Sequence, residues 1–153
     1  TCGKTVPNKS LLFMSFFEPM LKDEAIENIA IDLMSEKGLR QIAAELSDDK
    51  LWPAAVKQMG DFEQLALREL KLAGRMDCLA SRRALIAKAL RSGQKAKSSE
   101  LRKLSSQMRD IGKDFKKLWL ARNKLSRLND NMRLFNRIEK ELSKLSKNND
   151  ENK

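Results

Sequence analysis

Three acidic pairs, Asp23-Glu24, Asp48-Asp49 and Asp150-Glu151, are the residues whose type and spacing could serve hydrolytic acid/base chemistry. Such chemistry needs two carboxyl groups facing one cleft. All three pairs lie in polar, turn-like stretches, where solvated carboxylates and helix caps account for them. Histidine is absent, which excludes Ser-His-Asp and Cys-His nucleophiles, imidazole bases and every His-containing zinc site. Cys2 and Cys78 are too few for a four-thiolate zinc site and too far apart for a CxxC motif. Cys78 sits in an apolar helical run and is expected to be a buried free thiol. The six glycines are isolated, so no phosphate-cradling loop is present. The expectation is a chain without catalytic residues, metal or cofactor.

Binding chemistry is better represented. The 153 residues carry a net charge of +10, and its distribution is uneven. Residues 1–60 hold 7 basic and 9 acidic side chains, residues 61–94 hold 7 and 4, and residues 95–153 hold 17 and 8. The basic set Lys95, Lys97, Arg102, Lys103, Arg109, Lys113, Lys116, Lys117, Arg122, Lys124 and Arg127 could contact phosphates, each contact releasing counterions. Glu100, Asp110 and Asp114 interrupt that run, and Phe115 and Trp119 lie on or beside an apolar stripe and so are not free for base stacking. A solvated lysine-rich face is the favoured reading, and nucleic acid is the partner only under the alternative of a free-standing basic module that binds nucleic acid or an acidic protein.

The elements that position these residues are helical. Val occurs only at Val6 and Val56 and Tyr is absent, which leaves little material for strands. An all-α bundle of about four to six helices is expected, ending in a long antiparallel helical hairpin. Residues 1–9 form a polar lead-in, residues 10–146 a single helical domain, and residues 147–153 a polar, frayed tail. Ser10 caps a dense apolar turn of Leu11, Leu12, Phe13, Met14, Phe16 and Phe17, which either plugs the core or packs on another domain, and Pro19 stops it. Ser35 starts a helix with Leu39, Ile42, Ala43 and Leu46 on one face. Gly60-Asp61 opens a long helix to about Leu90, with an apolar face that includes Phe62, Leu65, Leu72, Met76, Leu79 and Ile86, thickened by Leu67 and Leu70. Gly74 is expected either to kink it or to allow close packing there.

Ser98 or Ser99 then caps a helix in which Leu101, Leu104, Met108, Ile111, Phe115, Leu118 and Arg122 keep an alternating 3,4 spacing. Asn123 to Arg127 is a break. Asn129 or Asp130 caps a last helix with Met132, Phe135, Ile138, Leu142 and Leu145 on its stripe. The two stripes are expected to face each other, which removes the surface an amphipathic helix would offer a membrane. No run of 18 apolar residues and no signal-peptide pattern is found, so a soluble, cytoplasmic chain is expected. The start at Thr1 fits a fragment, a processed product or an excised domain.

The string Phe115-Lys116-Lys117-Leu118-Trp119-Leu120-Ala121-Arg122-Asn123, followed by Leu128-Asn129-Asp130-Asn131-Met132-Arg133-Leu134, resembles the last hairpin of the helical C-terminal region of bacterial family 20 glycoside hydrolases. That hairpin carries a LWLARN-like string, a Pro-Gly-Gly turn and a leucine-rich helix start. Asn8-Lys9-Ser10-Leu11-Leu12-Phe13 with Phe17-Glu18-Pro19 is similar to the N-R-S-x-L-F…F-D-P string that opens the same region. The two strings occur in the family's order and span most of residues 7–145. The departure is Lys124-Leu125-Ser126-Arg127, where the glycine pair is missing.

The resemblance implies a β-N-acetylhexosaminidase-like enzyme. Its chemistry lies in a (β/α)8 barrel, where an Asp-Glu pair in a Gly-Gly-Asp-Glu setting assists hydrolysis by the substrate's own acetamido group. Lys22-Asp23-Glu24-Ala25 does not reproduce that setting, so no catalytic residue carries over. The implied role is structural: an accessory domain that packs on the barrel of the same polypeptide or builds a homodimer contact. Leu11, Leu12, Phe13, Phe16 and Phe17 would form the domain-packing segment, and Phe115, Leu118, Trp119, Arg122 and Asn123 the hairpin signature.

Overall fold

Apolar side chains at 3,4 spacing, bounded by capping residues, produce four helices among the described residues of the computed structural model, which are 34–47, 59–122 and 127–151. They are α1 (Glu36–Glu45), α2 (Asp61–Arg91), α3 (Ser98–Arg122) and α4 (Leu128–Glu151). The described chain contains no strand, and the all-α expectation stands. The apolar segment Leu11 to Phe17, like Asn123 and Lys124, lies outside the described residues.

Each helix begins and ends for local reasons. Ser35 Oγ accepts the Gly38 N–H at 3.3 Å and caps α1, which satisfies one of the N–H groups that a first turn leaves unpaired. Gly60 precedes α2, and the Glu63 carboxylate reaches back to accept the Gly60 N–H at 2.9 Å. At the far end of α2, Gly93 takes φ +79° and the Gln94 N–H donates to Ala89 O at 2.9 Å. This six-to-one closure is the helix ending for which glycine is suited. Lys88 and Arg91 in the same last turn face the negative end of the helix dipole.

α3 and α4 form the tightest pairing. Ser146 Oγ donates to Ser98 O, Ser105 Oγ donates to Glu139 O, and Gly112 faces Met132 and Phe135. The partners run in opposite order along the chain, so the two helices are antiparallel. α2 lies against the same seam, again antiparallel to α3, with Arg75 opposite Asp114 and Glu69 opposite Arg122. One core joins the three: Leu72, Leu79, Ile86 from α2, Leu101, Leu104, Met108, Ile111 from α3, and Phe135, Ile138, Leu142 from α4. Each such side chain contributes about 1.5–3 kcal/mol when fully buried. A Cβ at Gly112 would stand 3.4 Å from Phe135 Cβ, an ordinary van der Waals contact.

α1 is a thinner layer on the outer side of α2. Met34 and Leu39 pack on Ala84, Lys88 Nζ donates to Met34 O at 2.7 Å, and Cys78 Sγ donates to Ala43 O at 3.4 Å. Cys78 is a buried free thiol, as its apolar setting requires.

α2 runs unbroken for 31 residues, about 46 Å, the span expected of it, and Gly74 is buried within it. Several other expected details differ. Phe62 and Leu70, assigned to its apolar face, are 71% and 60% exposed, and the core shared with α3 and α4 takes in α2 from Leu72 onward. α4 starts at Leu128, ahead of the expected caps Asn129 and Asp130, with Arg127 O accepting the Asn131 N–H. The tail does not fray at Ser146. The helix runs on to Glu151, held by Asn149 Nδ2 donating to Ala96 O and by an Arg102–Asp150 ion pair. No described helix is long and apolar enough to cross a membrane.

Candidate functional site

The hairpin signature falls at the end of the bundle where α3 finishes and α4 begins. Phe115 is half-buried, and its ring stacks at a tilt on Trp119 (centroids 5.6 Å apart) and on the buried Phe135 (5.1 Å). Leu118 packs beside it against the core. Aromatic pairs at these separations add about 0.5–1.5 kcal/mol beyond their buried area. Arg122 turns toward α2: its guanidinium lies 4.9 Å from the centre of the exposed Phe62 ring, and its Nε stands 2.7 Å from Glu69 Oε1 in an ion pair. A cation over a ring face is worth about 0.5–1 kcal/mol at an exposed site. The sequence places Arg122 on the α3 stripe, and in the fold that stripe position serves α2. Asn123 lies outside the described residues.

The candidate phosphate contacts are divided between the two flanks of α3. On the α4 side, Arg102 pairs with Asp150 and Arg109 Nη2 donates to Glu139 Oε1 at 2.7 Å. That bond pushes the Arg109 guanidinium above its ordinary value, chiefly through hydrogen bonding to Glu139. Lys113 reaches Asp110 at 3.4 Å. Lys103, Lys116 and Lys117 are exposed and make no ion pair to a described residue. Arg127 stands apart at the start of α4 in a left-handed conformation, φ +62°. These residues therefore do not converge on one surface.

What the sequence reading missed is a cationic row on α2. Arg68, Lys71, Arg75 and Arg82 recur at helical spacing with Cys78 in register, and they border a groove against α3. Its central cavity, about 450 Å³, is lined by Lys71, Arg75 and Arg82 on α2, by Gln107 and Asp110 on α3, and by Ser47 after α1. A second cavity of about 330 Å³ shares Lys71 and Arg75 with it and adds Arg68, Lys117 and Leu118. A third, about 690 Å³, shares Arg82 and Ser47 and adds Lys97, Glu100 and Lys103. The 3,4 recurrence of Arg68, Lys71 and Arg75 is a signal available in the sequence, but it is hidden beside a stronger apolar period in the same helix.

The described residues hold no group of His, Cys, Asp or Glu that could bind a metal, and each of these three cavities has a single carboxylate in its lining. Of the acidic pairs, only Asp150-Glu151 is described, and Asp150 is occupied by Arg102. The arrangement can bind anions and pack against other surfaces. No known family model, curated protein or solved structure matches this chain.

Proposed function

We propose that this chain is a non-catalytic helical domain of a glycoside hydrolase similar to the family 20 β-N-acetylhexosaminidases, and that it acts by packing on the catalytic barrel or by forming a dimer contact. The observation that carries the reading is the position of the second family-like string. Phe115 to Arg122 forms the last turns of α3, and Leu128 to Leu134 the first turns of α4, so the similarity falls on a helix–helix junction of the kind it implies. Phe115 and Leu118 there pack on the core, which gives the string a structural role.

The test is the genomic reading frame upstream of Thr1. Several hundred further codons that encode a Gly-Gly-Asp-Glu string are the expected result, and cleavage of a chromogenic N-acetylglucosaminide by the full product would follow. A start codon within a few residues of Thr1 overturns the proposal.

A further inference from the structure

Ion pairs among the described residues meet some exposed cations of this molecule and leave others without one, in the groove as elsewhere. Along the groove between α2 and α3, Arg75 Nη1 is held by Asp114 Oδ2 at 2.6 Å, Asp110 is met by Lys113, and Arg40 on the α1 rim is met by Glu36. That leaves Arg68, Lys71, Arg82, Lys97, Lys103 and Lys117 lining the three cavities without an ion pair among the described residues, against Glu100 as the one acid there without such a pair. The cavities share walls and follow α3 from Ser99 to Lys117, about 27 Å of helix. Concave surfaces lined by one sign of charge concentrate field and attract the opposite charge.

We propose that this groove is a docking surface for an acidic, amphipathic helical segment of a partner protein. Three features favour a peptide over nucleic acid. The lining contains no aromatic side chain on which a base could stack. Glu100 on the α3 wall, the acid there without an ion pair, opposes a uniformly charged phosphate backbone, whereas an amphipathic helix can turn an uncharged side chain toward it. The partly exposed Leu46, Leu85 and Leu118 offer contacts to leucines of an amphipathic helix, the helix-in-groove mode of recognition. The α2 wall then faces the glutamates of the ligand. This inference is independent of the glycosidase reading.

The test is a fluorescence anisotropy titration of the full chain with a labelled synthetic helical peptide, about four turns long, with leucine on one face and glutamate on the other. A single-stranded oligonucleotide of equal charge is the comparison. Saturable peptide binding that weakens with salt is expected. Lys71→Glu with Arg82→Glu, and separately Lys103→Glu with Lys117→Glu, are each expected to weaken it at least tenfold. Lys144→Glu with Lys147→Glu, which places the same charge change on α4 away from the groove, is expected to weaken it less than threefold. Circular dichroism checks helix content, and Lys71→Gln with Arg82→Gln replaces the first variant if that one unfolds. Absence of binding at low salt overturns the proposal, as does equal weakening by all variants. Tighter binding of the oligonucleotide overturns it in favour of a phosphate-binding surface.

Discussion

Asp77 sits on α2 with its Oδ1 buried and without a hydrogen-bond partner among the described residues. Burial pushes its carboxyl above the ordinary value of 3.8, since desolvation penalises the charged form. The native chain therefore holds this proton more tightly than the unfolded chain, and the corresponding stability is present at low pH and lost as pH rises through the raised native value. Asp77→Asn is expected to raise the urea midpoint at pH 7 relative to the parent, with the gap closing as pH falls toward about 4, where the unfolded carboxylate also protonates. Urea titrations of both proteins at several pH values check this, and a gap that widens on acidification contradicts it. Arg83 illustrates the opposite arrangement. Its side chain is 1% exposed and is met by Glu141 at 3.3 Å, so a charge that composition assigns to the surface is sealed inside the bundle. Neither position announces itself in the sequence, because burial of a single polar residue depends on which neighbours the tertiary fold brings around it.

The helix stripes were the most legible features, and the reason is that the same periodic side chains both define the elements and fill the core. Leu101, Leu104, Met108 and Ile111 on α3 and Phe135, Ile138 and Leu142 on α4 are all buried, as their 3,4 spacing requires. Spacing does not reveal where a stripe runs past its partner. Phe115 continues the α3 period but sits at the open end of the bundle, half-buried, whereas Phe135 opposite it is 2% exposed. Phe135→Ala is accordingly expected to cost about 3–5 kcal/mol and Phe115→Ala clearly less, measured as changes in unfolding free energy. Equal costs would mean that the open end is covered in solution. The alanines Ala80, Ala84 and Ala87 are each 1% exposed and sit where helices approach α2 closely. A residue with so small a side chain adds little to an apolar period, so this part of the interface was not legible.

At the scale of the molecule the described residues form two unequal parts. The core shared by α2, α3 and α4 contains most of their buried apolar side chains, and α1 adds to them the small cluster of Met34, Leu39 and Ala84. A chain of residues 59–151 is expected to keep a single cooperative urea transition with high helicity, at lower stability than the full chain. Loss of cooperativity would show that α1 and what precedes it complete the core. The candidate groove was illegible for a related reason: its walls come from two helices whose cationic rows lie beside their apolar stripes, and only the antiparallel pairing of α2 with α3 brings Arg68, Lys71 and Arg82 opposite Lys103 and Lys117. The layer of α1 over Cys78 also makes a clock. With Cys2 replaced by serine, Cys78 is the sole thiol of the chain, and its sulfur lies against Ala43 O. Cys78 also lines the central cavity between α2 and α3, so the labelling rate reports both access through that cavity and the lifting of α1 while the three-helix core stays folded.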